Sequence, residues 1–336
     1  MSPSANPLLT DLLASVSRSF YLTLRVLPRR IRRPIGLAYL LARATDTIAD
    51  TDAVPLEERL RLLAALRARI TGANPTPLDL TEYLSEQSVP EERTLLARIN
   101  EALTLLQEGP EADRAEIRRV LETITSGQEL DLTRFAQGSA QRVIALDTGQ
   151  DLDDYTYRVA GCVGEFWTRM CRGHVFPGAA MDDALLLERA VRFGKGLQLV
   201  NILRDLPRDL ERGRCYLPAA GLAAHDLAPT DLLDARTMPR FVMLFGEYLD
   251  CAGAHLAAGW NYTNMLPRSQ VRVRLACAWP ILIGLRTIRR LRLANVLDPS
   301  RRVKIPRAEV RSVMLQTLLR YPFPGAWQRL FEQARS

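Results

Sequence analysis

Six aspartates stand in pairs four residues apart: Asp46/Asp50, Asp147/Asp151 and Asp205/Asp209. On a helix this spacing stacks two carboxylates on one face, one turn apart. Acids so close repel each other, and in an apolar setting they are costly unless a cation lies between them. Magnesium suits that position, because it is a hard ion that takes one or two carboxylates and completes its shell with water and substrate phosphate. Surface helices also carry acids freely. With 20 Asp in 336 residues, about one such pair is expected by chance, so spacing alone leaves metal binding and a solvated helix face both open.

Context distinguishes the pairs. Asp147/Asp151 encloses Gly149 in a turn-like stretch and reads as the chance pair. Asp46/Asp50 follows the amphipathic run GLAYLLARAT, with Arg43 one turn before Asp46. Asp205/Asp209 lies in GKGLQLVNILRDLPRDLERGR, with Asn201 one turn before Asp205 and Arg204 beside it. Two helices thus each carry an acid pair and an arginine suited to phosphate, an arrangement that would hold diphosphates between metal-loaded faces. Pro207 removes a backbone N–H inside the second pair, and the expectation is a helix that kinks or ends there, leaving the placement of Asp209 open.

The elements that must position these residues read as helices almost everywhere. Apolar residues recur at helical spacing from Leu8 to Phe20 and from Ile35 to Ile48. Pro55 and Pro90, each followed by acids, read as helix starts. Further helices are expected near 110–130, 152–174, 183–206, 238–262, 268–296 and 306–320, with breakers at 71–77, 146–149, 175–178 and 297–300. Strand-like alternation is nearly absent, and no linker or fixed-period repeat is visible. The expectation is an all-α, single-domain helical bundle over residues 1–336 that encloses a central apolar cavity.

Composition sets outer bounds. Hydrophobic residues at 47% and charged residues at 25% exclude a disordered or collagen-like chain. The net charge of +7 is carried almost wholly by arginine, since Lys195 and Lys304 are the only lysines. Arginine-rich helices without interleaved aromatics argue against a nucleic-acid platform. The five cysteines are odd in number and show no ligand spacing, which suits a reducing compartment. No secretory signal is read at the N-terminus, where Asp11, Arg18 and Arg25 interrupt each apolar run. The longest charge-free apolar run, residues 275–285, is too short to span a bilayer. The expected location is the cytoplasm, with peripheral membrane association.

Five segments in order resemble those of the squalene/phytoene synthases. SRSFY at 17–21 is similar to the family's N-terminal element, and YLLARATDTIAD at 39–50 to its first aspartate-rich motif. SGQELDL at 126–132 resembles its mid-chain Gly-containing helix, YTYRVAGCVGE at 155–165 its VAG segment, and QLVNILRDLPRD at 198–209 its second aspartate-rich motif.

The resemblance implies the isoprenoid synthase fold and head-to-head condensation of two prenyl diphosphates. Asp46, Asp50, Asp205 and Asp209 would hold Mg2+. Arg43 and Arg204, with Tyr155 in proton transfer, would be the catalytic groups. Ser17, Arg18, Ser19, Phe20, Tyr39, Gln198 and Asn201 would contact substrate. RVKIPRAEV at 302–310 resembles a segment of squalene synthases linked to cofactor use, which makes Lys304 the residue expected to meet NADPH. The implied product is squalene, made from farnesyl diphosphate through presqualene diphosphate. The alternatives are a non-reducing member yielding phytoene, dehydrosqualene, hydroxysqualene or presqualene diphosphate, and a non-catalytic basic helical protein that binds lipid.

Each residue keeps a plainer reading. Ser17 and Ser19 would satisfy helix carbonyls, and Arg18 and Arg43 would be surface ion-pair partners. Tyr155 would be a half-buried tyrosine, Gly161 and Gly164 would serve close helix packing, and Lys304 would be a solvated loop residue. His174, His225 and His255 fall outside every motif. The sequence leaves prenyl chain length and oligomeric state open.

Overall fold

A computed structural model describes residues 8–17 and 20–336, apart from the side chains of residues 20–22, and it is helical almost throughout. Backbone contacts divide the chain into two compact units, residues 1–133 with 166–178, and residues 134–165 with 179–336.

The first unit is built on α1 (Arg29–Asp50), α2 (Leu56–Thr71), α3 (Pro90–Ala97), α4 (Ile99–Gln107) and α5 (Glu111–Arg134). In α1 the positions Ile31, Ile35, Leu41, Ala44 and Ile48 recur at helical spacing and are buried, because this stripe packs on α2, α3 and α4. At about 100° of rotation per residue, Tyr39, Arg43, Asp46 and Asp50 fall together on the side roughly opposite that stripe. Helix α2 ends where Gly72 takes φ +85°, a left-handed cap that a side chain would strain. Pro90 opens α3 as expected, with Glu91 and Glu92 in its first turn.

The second unit contains the only two strands among the described residues. Strand β1 (Ile144–Leu146) pairs in parallel with β2 (Arg214–Pro218). Helix α6 (Gly149–Thr156) begins at a capping box in which Thr148 and Asp151 satisfy each other's backbone N–H. Asp151 therefore serves as a helix cap. The stretch expected as one helix over 152–174 is interrupted by a π turn, Tyr157–Gly161, before α7 (Cys162–His174), whose residues from Phe166 onward belong to the first unit. Helix α8 (Asp183–Glu211) starts at the Asp182 cap. Then come α9 (Met238–Met265), α10 (Val271–Leu293), α11 (Arg307–Arg320) and α12 (Pro324–Arg335). Trp260 of α9 stacks on Trp327 and Phe331 of α12 at centroid distances of 4.9 and 5.3 Å, which ties the last helix to the core.

Of the kink or end expected at Pro207, the end is corrected. Helix α8 runs through Pro207 to Glu211, and the chain turns only at Gly213, with φ +75°. Proline costs one intrahelical hydrogen bond, but Leu203, Leu206 and Leu210 on either side of it are buried, and their packing holds the helical path. Asp209 consequently keeps helical register with Asp205.

Candidate functional site

In the first unit, Tyr39, Arg43, Asp46 and Asp50 occupy one arc of α1. Arg43 Nη1 donates to Asp46 Oδ2 at 2.6 Å, and its Nη2 donates to Glu92 of α3. A single guanidinium is thus shared between two carboxylates from different helices, the charge-assisted geometry for which arginine's fork is suited. Burial and repulsion from Asp50 push the Asp46 acid up to about 7, against the pull of Arg43. Two carboxylates that resist being charged together are a fitting donor set for a hard divalent cation.

The last turn of α1 is fixed from outside. Tyr83 donates its buried hydroxyl to the carbonyls of Thr47 and Ile48 at 3.0 and 3.1 Å, and burial pushes its phenol up to about 12. Gln87 Nε2 donates to Thr51 Oγ1 at 3.1 Å. The two tyrosine bonds satisfy carbonyls near a helix end, where intrahelical partners run out, and with the Gln87 bond they set where Asp50 stands. In α5 the Oε1 atoms of Gln128 and Glu129 are buried without a hydrogen-bond partner, although Glu129 Oε2 pairs with Arg67 at 2.8 Å. Orphaned buried acceptors are uncommon, and both lie in the SGQELDL segment.

In the second unit, Gln198, Asn201, Asp205 and Asp209 share one arc of α8, all at intermediate exposure. Arg204 binds Asp205 with two bonds, Nε to Oδ1 at 3.0 Å and Nη2 to Oδ2 at 2.5 Å. Arg302, from the segment between α10 and α11, approaches the same carboxylate at 3.7 Å. Sequence reasoning singled out that segment for Lys304 and passed over Arg302. Lys304 itself is exposed, and its carbonyl accepts from Arg290 Nη1 at 2.7 Å.

Tyr155 is buried and stacks on Tyr216 of β2, with centroids 4.6 Å apart and planes at 22°. Tyr157, two residues on, instead lies under the Lys195 ammonium at 5.8 Å, so the two tyrosines occupy different faces. The VAG glycines serve close packing. A Cβ on Gly164 would fall 2.0 Å from the Ala190 carbonyl oxygen, and one on Gly194 would fall 2.2 Å from that of Ala160. This interlock sets the π turn and Gly164 directly against α8. Gly194 carried no sequence signal of its own beyond its place before Lys195.

Of the remaining expected contacts, Ser17 is buried and donates to the Leu13 carbonyl at 2.5 Å, as its plainer reading has it. Arg18 and Ser19 lie outside the described residues. Phe20 opens the short helix Phe20–Val26, but its side chain is likewise outside the description. Among the described residues no group of three or more His, Cys, Asp or Glu gathers as a metal cage. Each acid pair offers two carboxylates, the number magnesium accepts when water and phosphate complete its shell.

A family model described as squalene/phytoene synthase matches residues 13–309. The chain belongs to the squalene/phytoene synthase family. Its enzymes are of the prenyltransferase type. The chain is similar to the presqualene diphosphate synthase of Zymomonas mobilis, at 30% identity over 90% of this chain and 89% of that protein. It is also 30% identical, over 82% of its length, to the bifunctional lycopene cyclase/phytoene synthase of Blakeslea trispora. The chain spans only 43% of that bifunctional relative. Among solved structures, the complex of TcSQS with the ligand BPH1237 superposes with a TM-score of 0.77 at 22% identity, covering 97% of this chain and 89% of that one. That likeness fixes the all-α isoprenoid synthase fold. No described helix is long and apolar enough to cross a membrane.

Proposed function

We propose that the chain condenses two farnesyl diphosphates head to head, through presqualene diphosphate, and reduces the product to squalene with NADPH. The observation that carries the condensation is the repeated arrangement of two helix faces, each with an acid pair and an arginine bound to the first acid. Asp46, Asp50, Asp205 and Asp209 would hold Mg2+, which when bound supplies positive charge for the diphosphates. Arg43 and Arg204 neutralise the leaving diphosphate as its C–O bond breaks and the electron pair departs with oxygen, the point at which fixed cations lower the barrier most. The double bond of the second substrate attacks the allylic carbon so exposed, and loss of a proton closes the cyclopropane ring. Tyr155 is the residue assigned to that proton. Apolar neighbours in 159–164 and Leu199 exclude water that would quench the cation. Tyr39, Gln198 and Asn201, on the same arcs as the acids, contact the diphosphates.

The cationic segment around Lys304, which also places Arg302 near Asp205, suits a cofactor phosphate, and NADPH bound there would supply reducing equivalents. A second reading stops without reduction, and it is favoured by the similarity to a presqualene diphosphate synthase over nearly the full length of both chains.

The test is incubation with farnesyl or geranylgeranyl diphosphate and Mg2+, with and without NADPH, scoring pyrophosphate release and product mass. Squalene with NADPH and presqualene diphosphate without it are expected. Presqualene diphosphate, hydroxysqualene or dehydrosqualene at saturating NADPH, or phytoene from the longer substrate, would select the second reading. No pyrophosphate from either substrate would leave the lipid-binding alternative.

A further inference from the structure

Arg43 and Arg204 hold their acids in different ways. Arg204 commits Nε and Nη2 to the single carboxylate of Asp205. Arg43 divides its guanidinium, with Nη1 donating to Asp46 Oδ2 at 2.6 Å and Nη2 to Glu92 Oε1. Glu92 is thus a second anchor, on a separate helix, for the arginine of the first acid pair. Its side chain is only 15% exposed. It lies in the first turn of α3, where the helix dipole favours a negative group.

The fold brings Glu92 to Arg43 by a specific brace. Gln87 is buried, its Nε2 donates to Thr51 Oγ1 at the end of α1, and its Oε1 accepts from the Val89 N–H at 2.9 Å. Arg93 Nε donates to the Gln87 carbonyl at 2.9 Å. Gln87 therefore pins the start of α3 to the end of α1, and burial of Leu95 and Leu96 seats the helix. Glu92 is not a third metal ligand, because among the described residues no three acids gather as a metal cage. A carboxylate committed to a divalent cation has less attraction left for a guanidinium. With Asp46 assigned to Mg2+, Glu92 is the anion that still holds Arg43. We propose that Glu92 is a positioning residue that fixes Arg43 through Nη2 and leaves Nη1 available to the departing diphosphate, an inference that rests on the reading of Arg43 as the group neutralising that diphosphate.

The experiment is a double-mutant cycle on the full chain with farnesyl diphosphate and Mg2+, scoring pyrophosphate release. Glu92→Gln should lower kcat by at least about tenfold and change KM by less than about twofold, because the charge that Arg43 meets develops as the bond breaks. In an Arg43→Ala background the same substitution should cause no further loss, since a residue acting only through Arg43 has nothing left to position. Free guanidinium, kept below concentrations that alter the circular dichroism, should restore turnover to Arg43→Ala but not to Arg43→Ala/Glu92→Gln, because it supplies the missing fork only where an anion remains to hold it. Without Mg2+ or substrate, the urea midpoint of the double variant should fall no further than that of the less stable single variant. If Glu92→Gln does not fold, Glu92→Asp, which keeps the charge and shortens its reach, enters the same cycle. Wild-type kcat in the Glu92 variant, additive losses in the cycle, or the same guanidinium response with and without Glu92 would each overturn the proposal while leaving the condensation reading intact. A wild type that releases no pyrophosphate would overturn that reading and the role of Glu92 with it.

Discussion

Arg302 holds its guanidinium 3.7 Å from the Asp205 carboxylate, which places the segment between α10 and α11 beside the second acid-bearing helix face. The pair is long and Arg302 is half-exposed, so it contributes little to folding. Its consequence is for diphosphate. Arg302→Ala is expected to lower kcat/KM for farnesyl diphosphate by about tenfold, equivalent to ~1.4 kcal/mol, with the unfolding midpoint unchanged. An unaltered kcat/KM would remove Arg302 from the site.

Tyr83→Phe tests how the end of α1 is held. The ring volume stays, but the Thr47 and Ile48 carbonyls lose a donor at 3.0 and 3.1 Å. Loss of a buried partner of this kind costs about 1–3 kcal/mol, to be read from urea unfolding. Activity should fall as well, because Asp50 stands in the same turn.

Gly164→Ala and Gly253→Ala are expected to act in opposite directions. The first drives a Cβ into the Ala190 carbonyl and should destabilise by at least about 2 kcal/mol, since the helices must part. The second is a helical position with nothing within 4 Å of the new Cβ, and the gain in helix propensity should stabilise by about 0.5–1 kcal/mol. Thermal unfolding of the two variants side by side measures the contrast, and similar midpoints would refute the interlock.

His255 gives a pH dependence of stability. Burial, followed by the positive charges of Arg192 and Lys195, holds its imidazole below the ordinary 6.5 in spite of Asp153. The folded state therefore prefers the neutral ring, and as pH falls the unfolded chain takes up the proton first. The stabilisation is complete above about 6.5 and is lost as pH falls from there through the lower folded-state value. Urea midpoints at pH 7.5 and 5.5 should differ more for the wild type than for His255→Gln, and equal differences would show that His255 does not carry the effect.

Asp46→Asn changes the charge of the first acid pair at nearly constant shape. It should reduce turnover by more than about tenfold with native circular dichroism, and a smaller loss would exclude Asp46 as a metal ligand.

What the sequence determined by itself is what depends on near neighbours. Helical period is local, so the spacings 39, 43, 46, 50 and 198, 201, 205, 209 put each set on one arc whatever the rest of the chain does. The same locality is why the long helices lie close to where their apolar stripes and breakers placed them, and why motifs in order sufficed to recognise the family. Tertiary structure decided which distant groups reach those arcs. Glu92 meets Arg43, Arg302 meets Asp205 and Tyr216 meets Tyr155 through packing of segments far apart in sequence, and no short window encodes such pairings. The strands β1 and β2 escaped notice because each is a few residues long and gains its hydrogen bonds only from the other. Pro207 reads locally as a break, yet burial of Leu203, Leu206 and Leu210 outweighs one missing hydrogen bond. The leucines of α11 show another limit: only the fold reveals that Leu315, Leu318 and Leu319 face outward.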